Sequence, residues 1–160
     1  MTTMKHLFDV WASVYANHSA LRTAVEFLHV AGLVGGGGYA IVVDRSTLSA
    51  ARATGAARTV QLSTIRDAHR IVIGGLVVLF VTGVLLFAAD IDTFLASRVF
   101  WLKMGLVALL LGNGAIMRMA QQQAERGAVH AWPRLRTTAA VSLLLWFLTI
   151  LAGTALPNIG

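Results

Sequence analysis

Four stretches of about twenty apolar residues, each bounded by Arg, Asp or a polar turn, dominate the chain. About 20 residues at a 1.5 Å rise cross about 30 Å of hydrocarbon, so each stretch is long enough for one crossing. No water satisfies backbone N–H and C=O groups inside a bilayer, and a crossing segment must therefore satisfy them internally, as a helix. The sequence predicts an all-α polytopic membrane protein: a four-transmembrane-helix bundle, with helices at about 21–43, 69–89, 97–118 and 137–156, in a single membrane domain spanning 1–160. The content of 57% hydrophobic and 12% charged residues is too apolar for an ordinary water-soluble domain of this size.

A short helix precedes the first span. Over about 4–16, Leu7, Phe8, Trp11, Val14 and Tyr15 recur at helical spacing on one face, the pattern of a helix lying in the membrane interface. Asn17, His18 and Ser19 then read as a turn, with Ser19 as N-cap of the first span. That span is not expected to be a cleaved signal peptide, because it is long, follows a polar-flanked segment and contains Glu26 and His29. Ser46–Thr54 reads as an extension of the first span, Ser63-Thr-Ile-Arg-Asp as the start of the second, Trp132-Pro133 as an interfacial turn and Pro157 as the end of the fourth.

Basic residues set the expected orientation, since positively charged loops stay on the cytoplasmic side. Arg45, Arg52, Arg58, Arg66 and Arg70 lie in the connection 44–70, and Arg118, Arg126, Arg134 and Arg136 in 118–136. The opposite side has Lys5, Arg22 and Arg98. The expectation is a bacterial inner membrane protein with both termini outside and loops 44–70 and 118–136 cytoplasmic. The net charge of +6 follows from this asymmetry and points to the lipid bilayer and its anionic headgroups, not to nucleic acid. With no cysteine, disulfides, thiolate clusters, covalent haem attachment and cysteine nucleophiles are excluded.

Three ionisable residues interrupt the apolar stretches: Glu26 and His29 in the first and Lys103 in the third. Ionisable groups in hydrocarbon are costly enough to be site candidates by default. Both spans start on the same side, so His29, about 10 Å below its outer end, and Lys103 overlap in depth. Glu26, one turn from His29, is placed to pair with Lys103 or to orient the imidazole. His69 starts the second span from the other side, so His29 and His69 are expected to be separated by most of a bilayer and not to clamp one haem. His69 and His130 read as solvated. Asn113 suits a hydrogen bond to a neighbouring helix or to a quinone carbonyl. Glycines at 32, 35–38, 74, 75, 83, 105, 112 and 114 favour tight helix packing; Gly36, seven residues from His29 and on nearly the same face, is also a candidate for making room for a flat cofactor.

The segments Glu26-Phe-Leu-His29-Val-Ala-Gly32, Val43-Asp44-Arg45 and Phe100-Trp101-Leu102-Lys103 resemble an uncharacterised bacterial four-helix integral membrane protein family. That family is distantly similar to the group of the HemJ-type protoporphyrinogen oxidase and the copper-resistance protein D membrane domain. In that group a first-helix histidine and a lysine early in a later helix are signature positions, matched here by His29 and Lys103. The resemblance covers spans one and three. It implies haem b bound with His29 as iron ligand, with Glu26, Lys103 and Gly36 around it, and a part in membrane electron transfer beside a quinone or other membrane redox subunits. Two alternatives stay open: a small transporter component with a Glu26/His29/Lys103 polar relay, which needs a homo- or hetero-oligomer, and an accessory subunit of a larger membrane complex. No phosphate loop, zinc-spaced His/Glu pair or serine triad is present, so no enzyme class is assigned.

Overall fold

In the computed structural model, which describes residues 2–53, 55–128 and 130–159, the secondary structure of those residues is helical throughout. A short helix α1 (Thr2–Asn17) leads into α2 (Ser19–Gly32), a π-helical segment (Leu33–Gly38) and α3 (Tyr39–Ala50). These last three form one continuous span, Ser19–Ala50. Helix α4 (Ala56–Ala89), the single-turn α5 (Ile91–Ala96), α6 (Arg98–Glu125) and α7 (Ala131–Ile159) follow. Four helical runs, Ser19–Ala50, α4, α6 and α7, are long and apolar enough to cross a membrane, and the chain is accordingly a multi-pass membrane protein. Large apolar side chains such as Phe27, Phe80, Trp101, Leu109 and Phe147 stand outward, as a hydrocarbon-facing surface requires.

The helices are longer than the apolar stretches. In the connection 44–70 the first span does extend, up to Ala50, and the second begins at Ala56, seven residues before the start expected at Ser63; Thr54 lies outside the described residues. Likewise α6 runs to Glu125 and α7 begins at Ala131, so the connection 118–136 shrinks to a tight turn containing Gly127 at φ +80°. Hydropathy marks the hydrocarbon window, whereas Ala, Gln, Arg and Leu propagate a helix beyond it. Trp132 and Pro133 accordingly fall in the first turn of α7, where proline is tolerated because its missing N–H has no partner to lose. The N-cap of α2 is His18, in an extended conformation, and not Ser19, which is already helical. Asp90 and Ser97 do cap α5 and α6, accepting from the Thr93 and Phe100 amides. Pro157 lies inside the last turns of α7 and does not end it.

Two ends of the bundle are chemically distinct. At one, here the basic end, lie the Arg-rich α3–α4 and α6–α7 connections; at the other, the terminal end, lie α1, α5 and the C-terminus. The first span packs on α4 and on α7, α6 packs chiefly on α7, and α4 and α6 meet only sparingly. Buried apolar clusters fill the basic half and the middle. One joins Ala50, Ala120, Ala131, Trp132 and Leu135, with the Arg58 guanidinium 4.8 Å over the Trp132 ring. Another joins Ala40, Leu110, Leu145 and Trp146, with Leu33, Leu79 and Leu106 at its margin.

Glycine decides how closely the first span approaches its neighbours. A Cβ on Gly36 would come within 2.8 Å of Gly75 Cα, and one on Gly37 within 2.7 Å of the Trp146 ring. The packing reading of the glycine run therefore holds at these positions, and the space beside Gly36 is taken by the α4 backbone, not left for a flat cofactor. Gly35 and Gly38 face open space. Four successive glycines lower helix stability, and the span responds by widening into the π-helical turn.

At the terminal end α1 lies against α2 and α4. Trp11 Nε1 donates to the Leu85 carbonyl at 2.9 Å, using the second lone pair of a helical oxygen. Trp11→Phe keeps the ring and deletes the donor, worth about 1 kcal/mol. Amide hydrogen exchange across residues 2–17 is expected to accelerate roughly fivefold in that variant; unchanged exchange would show that the contact does not hold the helix.

Candidate functional site

The apolar clusters stop near Leu33, Leu79 and Leu106, and polar groups take over toward the terminal end. His29 on α2 is half-buried, with Nδ1 2.8 Å from Thr82 Oγ1 on α4. Thr82 is itself buried, and its hydroxyl donates to the Val78 carbonyl at 2.6 Å. A hydroxyl has one proton, so once that proton is committed to Val78 the oxygen accepts from His29, and Nδ1 must carry the hydrogen. The second nitrogen, Nε2, is then a lone pair: the form of imidazole that ligates a metal or accepts a proton. A Cβ on Gly83 would sit 3.6 Å from His29 Cε1, so α4 passes alongside the ring.

Lys103 comes from α6 and lies against α7, its Nζ 3.6 Å from where a Cβ on Gly153 would stand. The helices that carry the two residues pack on different partners, α2 on α4 and α6 chiefly on α7. Among the described residues no carboxylate pairs with Lys103. One turn before Gly153 on α7, the Thr149 hydroxyl is buried without a hydrogen-bond partner. An ammonium without a counter-ion and an unsatisfied hydroxyl in a low-dielectric interior are costly unless a ligand or water meets them.

Glu26 departs from expectation. It is exposed and accepts a hydrogen bond from the Tyr15 hydroxyl of α1 at 3.2 Å, so it neither pairs with Lys103 nor orients His29. Desolvation and, next, the neighbouring Glu26 charge hold the Tyr15 phenol above its usual range. The orienting part assigned to Glu26 belongs to Thr82. Gly36 faces Gly75 and is likewise outside the site. His69 lies 13 residues before Thr82 on α4, about 20 Å along the helix, which keeps it far from His29. Asn113 Nδ2 donates to the Thr138 carbonyl at 2.9 Å, the helix-to-helix bond.

Sequence reasoning missed Thr82 and Thr149. Each is a lone threonine within an apolar run, and such residues usually bond to their own helix, as Thr82 also does. Asp44, quoted above only as part of the segment at the end of the first span, is 3% exposed near the basic end and lies beside Ser142 with one carboxylate oxygen unpartnered. No group of three or more His, Cys, Asp or Glu gathers among the described residues to hold a bare metal ion. What the terminal half presents is one imidazole nitrogen, one ammonium and one unpartnered hydroxyl. The chain matches no known protein family, no curated protein and no solved structure.

Proposed function

We propose that the protein sits in a bacterial inner membrane with its basic end in the cytoplasm and binds haem b through His29 in the outer half of the bundle, taking part in membrane electron transfer. The observation that carries this reading is the His29–Thr82 pair: an Nδ1–H donated to Thr82 Oγ1 leaves Nε2 as a lone pair. In it, His29 Nε2 would hold the iron, Thr82 would keep the ring in place with its proton on Nδ1, and Lys103 would neutralise a propionate carboxylate. Bound haem b supplies a one-electron couple. The surrounding apolar helices limit water access and so favour the reduced, less charged state. The orientation rests on the arginines of the two basic connections. Quinone and other membrane redox subunits remain the proposed partners.

The polar-relay alternative has less support, because Glu26 is bonded to Tyr15 and lies apart from Lys103. The test is a reduced-minus-oxidised visible spectrum of detergent-purified protein, expressed with haem precursor supplied, beside His29→Ala. A haem b spectrum in the wild type that vanishes in a variant with unchanged circular dichroism is the expected result. A folded, colourless wild type would sink the reading.

A further inference from the structure

A polar cavity lies at the basic end, away from His29. It has a volume of about 170 Å³ and is lined by Arg66 and His69 of α4 and by Arg118, Gln121, Gln122 and Glu125 of α6. It occupies the seam where these two helices otherwise meet sparingly. The seam is pinned at the terminal end by the stacked Phe87 and Phe100 rings, 5.4 Å apart, and at the basic end by Arg66–Glu125 at 2.8 Å.

The charges inside the cavity are unevenly satisfied. Glu125 Oε1 already receives Arg66 and, at 3.2 Å, Gln121 Nε2, so the charge of the single carboxylate is met by Arg66. Arg118 has no ion-pair partner among the described residues. His69 Nε2 is buried and has no hydrogen-bond partner. A buried ring nitrogen left without a partner costs free energy that a bound group would recover. Two guanidiniums, one paired carboxylate and one unpartnered ring nitrogen favour an oxyanion: Arg118 donates to it, His69 donates through Nε2–H, and Arg66 shares its remaining N–H groups.

Apolar surface continues from the cavity toward the middle of the bundle. Ile73 follows His69 by four residues and Arg66 by seven, and Leu111 precedes Arg118 by seven, so each lies on the same helix face as the cavity residues. Both are exposed. A phosphate seated among the arginines therefore has hydrocarbon-facing side chains directly beneath it on both helices. We infer that this cavity is a binding site for the phosphate of an anionic phospholipid, whose acyl chains lie along the α4–α6 seam. Free phosphate shares the headgroup chemistry but would gain nothing from Ile73 and Leu111. Basic pockets between transmembrane helices at the cytoplasmic surface suit this class of ligand.

The test uses the full chain in two arms. In the first, delipidated protein is reconstituted into phosphatidylcholine nanodiscs with or without phosphatidylglycerol, and lipid retention is read by native mass spectrometry together with thermal unfolding. In the second, inorganic phosphate is titrated in detergent. Wild type should retain phosphatidylglycerol preferentially; Arg118→Gln and His69→Phe should each weaken that preference roughly five- to tenfold. Arg126→Gln, at the same end but outside the cavity, should behave as wild type and so controls for general surface charge. Equal losses in all three variants would overturn the site in favour of diffuse attraction. Stabilisation by inorganic phosphate without any phosphatidylglycerol preference would overturn the lipid assignment.

Discussion

Gly75→Ala is expected to lower the thermal unfolding midpoint by many degrees or to prevent accumulation of the protein, whereas Gly74→Ala, one residue away, leaves it unchanged or slightly higher. At Gly75 a Cβ would run into Gly36 Cα, and it would lie 2.7 Å from Gly36 N and 3.0 Å from Gly32 O. All three obstacles are backbone, so no side chain can swing aside. The first span and α4 would have to separate, loosening the contacts that both make with the Leu33, Leu76 and Leu79 surroundings. Overpacking of this kind costs about 1–3 kcal/mol, and more when backbone must move. At Gly74 nothing lies within 4 Å, and replacing glycine in a helix gains about 0.5–1 kcal/mol from chain entropy alone. Tryptophan fluorescence during heating in detergent reads both variants; equal midpoints would mean that the helices do not approach through Gly75.

Thr82→Val is expected to weaken haem retention 10- to 100-fold without unfolding the protein, and Thr82→Ser to restore it. Valine preserves the branched shape but removes the acceptor that holds His29 Nδ1–H. The imidazole is then free to rotate and to move its proton to Nε2, which silences the ligating nitrogen in that tautomer. Haem titration of the apoprotein checks this, and a redox midpoint that shifts in Thr82→Val but not in Thr82→Ser separates ring orientation from simple loss of packing. If valine binds haem as tightly as wild type, the hydroxyl does not set the tautomer.

The bundle was legible because hydropathy and length alone decide what crosses a bilayer. The separation of the two histidines was legible too: a fixed rise per residue carries His69 about 20 Å along α4 from Thr82, the partner of His29. Rotation about each helix axis was not. Glu26 is only three residues from His29, yet it turns to Tyr15 on α1, an interface helix whose docking on α4 leaves no trace in the hydropathy of the spans. Nor does a sequence reveal which of the first span's five glycines meets a neighbour: Gly32, Gly36 and Gly37 do, Gly35 and Gly38 do not. Helix ends were misplaced for a different reason. The apolar signal fades where the hydrocarbon ends, while α4 begins at Ala56, thirteen residues before the expected start of the second span at 69.

The wide turn at Leu33–Gly38 divides the first span into two half-helices with separate azimuths. An extra residue in a turn advances everything beyond it by about 100° around the axis. The half carrying His29 is thereby aimed at α4, and the half carrying Asp44 at Ser142 of α7, which a uniform helix would have to reconcile by bending. The span works as a swivel set at fixed angle: substitutions that re-aim the outer half need not disturb the inner one, and the two ends of one membrane crossing become free to diverge in chemistry while sharing a single backbone.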